Sequence, residues 1–181
     1  MQKTNVEIEF KTSISKEKYQ ELLKLFELED NVFKQTNFYF DTDNLDLNNE
    51  KIVLRIRQNG ERYKVTMKRQ SPTGAFENHV LLKKEQALEM IKNGFNTSDF
   101  YDNINYFVTF KASLDNYRVS TPYKEGTLFL DRCHYHDVID YEIEYEVDEF
   151  EQGQKRFNNF LNEHNIEFVK TKRKSERALT K

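Results

Sequence analysis

The chain of 181 residues has one cysteine, Cys133, no tryptophan, two prolines and five glycines. A single cysteine excludes an internal disulfide. Scarce glycine leaves no Gly-rich phosphate-binding loop, so any phosphate recognition must rest on side chains. No apolar run is long enough for a signal peptide or a membrane span, which makes a reducing cytoplasmic setting the expectation, with no membrane partner. Basic excess is missing too. A formal net charge of −3 argues against general nucleic-acid binding, which needs a basic balance or stripe. Any anion must then be met by local positive charge.

What is present points to a folded, very polar chain. Charged residues make up 33% and the mean hydropathy is −0.88, values compatible with disorder, but 15 Phe and 10 Tyr supply the large apolar bodies that disordered chains lack. The length fits one domain, 1–181, with no repeat, low-complexity tract or linker to divide it. No obligate protein partner is evident.

The most informative stretch is VEIEFK near the N-terminus. In a β-strand alternate side chains point to opposite faces, so Glu7, Glu9 and Lys11 line one face and Val6, Ile8 and Phe10 the other. YEIEYEV repeats the pattern with Glu142, Glu144 and Glu146 opposite Tyr141, Ile143, Tyr145 and Val147. Rows of carboxylates destabilise a sheet unless cations compensate them. IVLRIR places Arg55 and Arg57 on one face. Asn59-Gly60 marks a hairpin, and RYKVTMK returns with Lys64, Thr66 and Lys68 on one face. FENHV adds Glu77 and His79. Later strands are expected in NYFVTFK, NYRVS and TLFLDRCHYHD. Helices are expected over 15–29, with Ser15 as cap and Tyr19, Leu22, Leu23 and Phe26 as apolar stripe; over 84–93, carrying Leu88 and Ile91; and over 149–163, with Phe157, Phe160 and Leu161 inward.

A half-exposed antiparallel sheet ordinarily turns charge to water. Here charge is sorted by strand, with carboxylates on the first and last strands and Arg and Lys on the central hairpin. Two α+β, mainly β arrangements are then open: a sheet whose charged face is solvated, or a closed antiparallel barrel with a polar lumen and helices packed outside. Buried charges of both signs call for a ligand that uses both, and a polyphosphate with Mg²⁺ or Mn²⁺ does so. Cys133, His134 and His136 lack a second ligand cluster and read as ordinary strand residues. The KTKRK run reads as a solvated basic tail unless a ligand recruits it.

EIEFK resembles the ExExK signature of the CYTH superfamily, the triphosphate tunnel metalloenzymes. The resemblance extends in family order through NFYFDTDNLDL, VLRIR, VTMK, DYEIEYE and KRKSERAL, and is closest to the small bacterial YjbK-like branch. It implies a tunnel of eight antiparallel strands that binds a triphosphate group. By position it implies Glu7, Glu9, Glu142 and Glu144 as metal-holding and catalytic carboxylates, with Glu146 as a further metal ligand, Glu77 as a tunnel carboxylate and Lys11 in the catalytic set. Lys11, Arg55, Arg57, Lys64, Lys68, Lys111, Arg118, Lys174 and Arg177 are implied to bind substrate. The chain departs from the family where Lys111 replaces an arginine, where Arg173 precedes Lys174 in place of serine, and near His79, where a second charged group is common. The implied activity is metal-dependent hydrolysis of a triphosphate, with inorganic triphosphate first and nucleoside or thiamine triphosphate next. A class IV-type adenylate cyclase and a non-catalytic polyphosphate or nucleotide sensor are the alternatives.

Overall fold

The structure is a computed structural model that describes residues 2–180. Nine strands, β1 (Gln2–Ile14), β2 (Phe33–Asp41), β3 (Ile52–Asn59), β4 (Arg62–Ser71), β5 (Gly74–Leu82), β6 (Phe95–Asn96), β7 (Phe107–Tyr123), β8 (Gly126–Tyr135) and β9 (Val138–Val147), are joined with five helices, α1 (Lys16–Leu25), α2 (Asp46–Asn49), α3 (Lys84–Asn93), α4 (Phe150–Glu163) and α5 (Lys174–Leu179). Strands follow the order β2-β3-β4-β5-β1-β9-β8-β7-β6, and β2 also pairs with β7. The order therefore returns on itself through eight strands, a closed antiparallel β-barrel in which, among the described residues, no long strand keeps an unpaired edge, and β6 is a two-residue addition to β7.

Contacts divide the chain into two compact units. The first comprises Met1–Val6, Gln35–Leu114 and Lys174–Lys181. Its apolar side gathers Phe40, Leu54, Ile56, Val65 and Met67 from the sheet with Ala87 and Met90 of α3. Leu88, expected to face inward, is 49% exposed. The helix is turned so that Ala87, Met90 and Ile91, at i, i+3 and i+4, meet the sheet and Leu88 falls outside that arc. Asp41 shapes the following turn by accepting hydrogen bonds from the backbone N–H of Thr42, Leu47 and Asn48, which ties the first turn of α2 to the end of β2.

The second unit comprises Glu7–Lys34 and Asp115–Arg173. Its core packs Tyr19 and Leu22 of α1 and Phe157, Phe160 and Leu161 of α4 against Val119, Leu128, Leu130, Ile143 and Tyr145. Ser15 caps α1 by accepting from the Lys18 N–H, as the sequence implies. The helix stops at Leu25 rather than near residue 29, because Glu27 takes a left-handed φ of 55°. Gly153 lets α4 sit close to the sheet: a Cβ there would lie 2.4 Å from Cγ2 of Val147.

Two further corrections concern the late chain. The strands expected in NYFVTFK and NYRVS are one strand of 17 residues, since the intervening ASLD contains no glycine or proline to break it. The basic C-terminal run leads into α5, where Lys174, Ser175, Arg177 and Ala178 are buried, so its final part is not a solvated tail.

Candidate active site

Strand alternation on β9 sends Tyr141, Ile143 and Tyr145 toward the helices and leaves the glutamates on the other face. Register then decides which groups meet. Glu142 lies opposite Asp131 of β8 and Ser13 of β1, and Asp131 lies opposite Arg118 of β7. Glu144 lies opposite Lys11, and Glu146 opposite Glu9. Directly opposed residues share a face, so these side chains form one polar wall within the second unit.

At its centre, carboxylate oxygens of Asp131, Glu142 and Glu144 all lie within 4.8 Å of one another, and all three residues are buried. Arg118 crosses this group. Its Nε donates to one oxygen of Asp131 at 2.7 Å, and its Nη2 donates to the other at 2.7 Å and to Glu144 at 2.8 Å. The guanidinium also lies over the Phe129 ring, 4.2 Å from its centroid. Burial alone would lower the pKa of Arg118, but the neighbouring Asp131 and Glu144 carboxylates more than reverse that, holding it well above its ordinary value and therefore charged. Three carboxylates against Arg118 and the opposed Lys11 still leave an excess of negative charge in a buried place. That excess, presented by oxygen donors alone, fits a hard divalent cation.

The first unit carries the complementary charge. Tyr39, Arg55, Thr66 and His79 form one row across β2, β3, β4 and β5; Asn37, Arg57, Lys64 and Leu81 form the next; Val53, Lys68 and Glu77 form a third. Their opposite faces hold the apolar core, so the rows make a single polar wall. Asn37 accepts from Nε of Arg57 at 2.8 Å and donates to the Tyr39 hydroxyl at 3.3 Å, which fixes the orientation of that guanidinium. Glu77 Oε1 lies 3.7 Å from Nζ of Lys68 and 4.0 Å from Nη2 of Arg55, while its Oε2 lies 3.2 Å from Nε2 of His79. Nδ1 of His79 is 2.8 Å from the Thr66 hydroxyl. The Tyr39 phenol is pushed up by burial against the pull of Arg55, Arg57 and Lys174, which places Lys174 within electrostatic reach of this wall.

The implied residues thus fall into groups. Glu142, Glu144, Lys11 and Arg118 belong to the acidic wall, and Arg55, Arg57, Lys64, Lys68, Glu77 and His79 to the basic one. Glu7, Glu9 and Glu146 lie outside the carboxylate trio, and Glu146 is exposed. Lys174 and Arg177 are buried on α5. Lys111 bonds to Asp43, whose side chain is 93% exposed, and that hydrogen bond lowers the Asp43 pKa. Sequence reasoning missed Asp131, Asn37 and Tyr39. Parity could have found all three: Asp131 alternates with the buried Leu128 and Leu130, and Asn37 and Tyr39 alternate with Phe38 and Phe40. A lone aspartate between Leu130 and Arg132 gives no charge row to draw the eye.

Comparison with known proteins agrees with this geometry. The CYTH domain model matches residues 5–179, and the chain belongs to the CYTH family. It is 30% identical over 178 residues to YjbK of Bacillus subtilis (strain 168), described as a candidate triphosphatase, across 93% of this chain and 92% of that one. A Bacillus halodurans protein described as a candidate adenylate cyclase superimposes with a TM-score of 0.88 at 29% identity, covering 96% of this chain and 97% of its own. HpAC1 from Hippeastrum, described as an adenylyl cyclase candidate with a dominant triphosphatase activity, shares the fold with a TM-score of 0.75 at 22% identity over 93% of each chain. Among the described residues no helix is long and apolar enough to cross a membrane.

Proposed function

We propose that this protein is a metal-dependent triphosphatase that hydrolyses a terminal phosphate from a triphosphate group, with inorganic triphosphate as first substrate and nucleoside or thiamine triphosphate next. The observation that carries the reading is the buried trio Asp131, Glu142 and Glu144 with its excess negative charge, in a chain whose other polar wall is built of Arg and Lys. The similarity to YjbK supports it. The reading takes 1–181 as one CYTH domain, in a cytoplasmic setting that the lone, buried Cys133 suits.

Phosphoryl transfer asks a protein for position and charge neutralisation more than for covalent help. Arg57, oriented by Asn37, and Arg55, Lys64 and Lys68 take phosphate oxygens, and Arg is suited to a two-point grip where Lys acts as a point charge. Lys174 and Arg177 of α5 add charge to the same task, and Lys111 has a lesser part while Asp43 engages it. In hydrolysis a water oxygen bonds to the terminal phosphorus and gives up a proton to solvent, the anhydride P–O bond breaks, and the diphosphate part of the substrate, pyrophosphate where that is inorganic triphosphate, leaves with the negative charge that these cations stabilise. Glu142, Glu144 and Asp131, with Glu7, Glu9 and Glu146 as further carboxylates, would hold Mg²⁺ or Mn²⁺, whose chemistry there would be Lewis-acid polarisation of phosphate oxygens. Lys11, opposite Glu144, and Arg118, bonded to Asp131 and Glu144, offset part of that negative charge and align the carboxylates.

The Bacillus halodurans neighbour keeps cyclisation of ATP as a second reading, in which the ribose hydroxyl replaces water as nucleophile. Product identification separates the two. With inorganic triphosphate, ATP and thiamine triphosphate offered in turn with Mg²⁺ or Mn²⁺, orthophosphate as the product supports the hydrolase. Cyclic AMP with pyrophosphate makes it a cyclase, and tight binding without product makes it a sensor.

A further inference from the structure

Glu77 is an acidic residue set into a wall of cations, and nothing in triphosphate binding requires an anion at that position. Its two oxygens have separate partners. Oε1 faces Lys68 at 3.7 Å and Arg55 at 4.0 Å; Oε2 faces Nε2 of His79 at 3.2 Å. His79 is itself held from behind, because its Nδ1 lies 2.8 Å from the hydroxyl of Thr66, directly across β4. The two contacts divide the ring: Nε2–H donates to the Glu77 carboxylate, and Nδ1 pairs with the Thr66 hydroxyl.

We infer that Glu77 is an internal anion that competes with substrate phosphate for Arg55 and Lys68, and that His79, oriented by Thr66, is the positioning residue that tethers Glu77 so the competition stays weak. The 3.7 and 4.0 Å separations to Oε1 are loose ion-pair distances rather than direct hydrogen bonds. A phosphate oxygen that reaches Arg55 and Lys68 at hydrogen-bond distance displaces Oε1 while Oε2 keeps its bond to His79. Without the tether the carboxylate swings fully onto the two cations and occupies the place of the phosphate. His79 thereby sets affinity for the triphosphate chain without touching the reacting atoms. The wall selects for polyanions whose charge density exceeds that of one carboxylate, which favours a polyphosphate chain over a carboxylate metabolite.

This rests on the triphosphatase reading, and the test keeps the two apart. Binding of inorganic tripolyphosphate without metal is measured by calorimetry for the native protein, His79→Ala, Glu77→Gln and the double variant, with steady-state kinetics beside it. The expected results are a Kd about 10-fold weaker in His79→Ala with KM rising and kcat little changed, a tighter Kd in Glu77→Gln, and a double variant within about 2-fold of Glu77→Gln alone. That rescue is something a purely structural role for His79 cannot produce. His79→Gln, whose amide can still donate to Oε2, recovers most of the native affinity and guards against misfolding of the alanine variant. Ring nitrogen shifts of His79 report the Nε2–H form in the unliganded protein. Binding by the native protein with additive effects in the double variant overturns the inference alone. Absence of metal-free tripolyphosphate binding by the native protein overturns the inference alone, whereas absence of orthophosphate release with saturating Mg²⁺ or Mn²⁺ overturns the functional reading and the inference with it.

Discussion

The charge on a single guanidinium decides much of the acidic wall. Arg118 bonds both oxygens of Asp131 and one of Glu144, and Asp131 is wholly buried. Removing one partner of such a group leaves buried charge uncompensated, so Arg118→Ala is expected to destabilise the protein by about 3–5 kcal/mol in denaturant unfolding near neutral pH. A midpoint unchanged from the native one would show that the trio is neutralised by other means. Glu142→Gln removes a carboxylate but keeps its shape. It is expected to lower metal-dependent turnover by at least about 100-fold while leaving the thermal midpoint close to native. For Arg57→Ala the expected change is in KM for triphosphate, about 10-fold or more, with a smaller effect on kcat; an unchanged KM would remove Arg57 from the phosphate site. Residues of this kind were legible in the sequence where they came in rows. Glu142 and Glu144 stand in an alternating run, and Arg55 and Arg57 likewise. For Asp131 parity gave only the polar face; its role comes from register with Arg118 and Glu142, and register is set by strand pairing rather than by local pattern.

At the scale of elements, the strands act as rulers and the helices as clamps. Period-two alternation fixed which face of each strand is polar, and that much could be read directly. Where α4 presses on the sheet could not. It depends on Gly153, whose missing Cβ leaves room for Val147 and Phe10. Gly153→Ala gains helix propensity but forces a contact at 2.4 Å, and the expected net effect is a loss of about 1–3 kcal/mol by chemical denaturation. A more stable variant would mean the helix shifts without cost. The length of β7 was equally hidden, since nothing in ASLD distinguishes a strand that continues from two strands with a polar joint. For α5 the obstacle was composition: KTKRKSERAL reads as a soluble tail by charge, and only burial of Lys174 and Arg177 shows that the segment is anchored.

For the whole molecule, the closed order of eight strands was foreseeable from the CYTH resemblance, which ran in order along the chain, whereas charge sorting by itself was equally compatible with a solvated sheet face. A protein organised to hold a polyanion and a divalent cation should be stabilised by them together. Saturating tripolyphosphate with a divalent ion is expected to raise the melting temperature by several degrees, more than either component alone, as linkage requires for ligands that bind only the folded state.

The most direct test is the rate of orthophosphate release from inorganic triphosphate as Mg²⁺ is titrated from a chelated zero, for the native protein and Glu142→Gln side by side. A rate that rises and saturates with Mg²⁺ in the native protein, and stays near background in the variant, is the predicted result. Equal rates with and without the ion, or equal rates in the two proteins, would contradict the assignment of the buried carboxylates to metal-dependent hydrolysis.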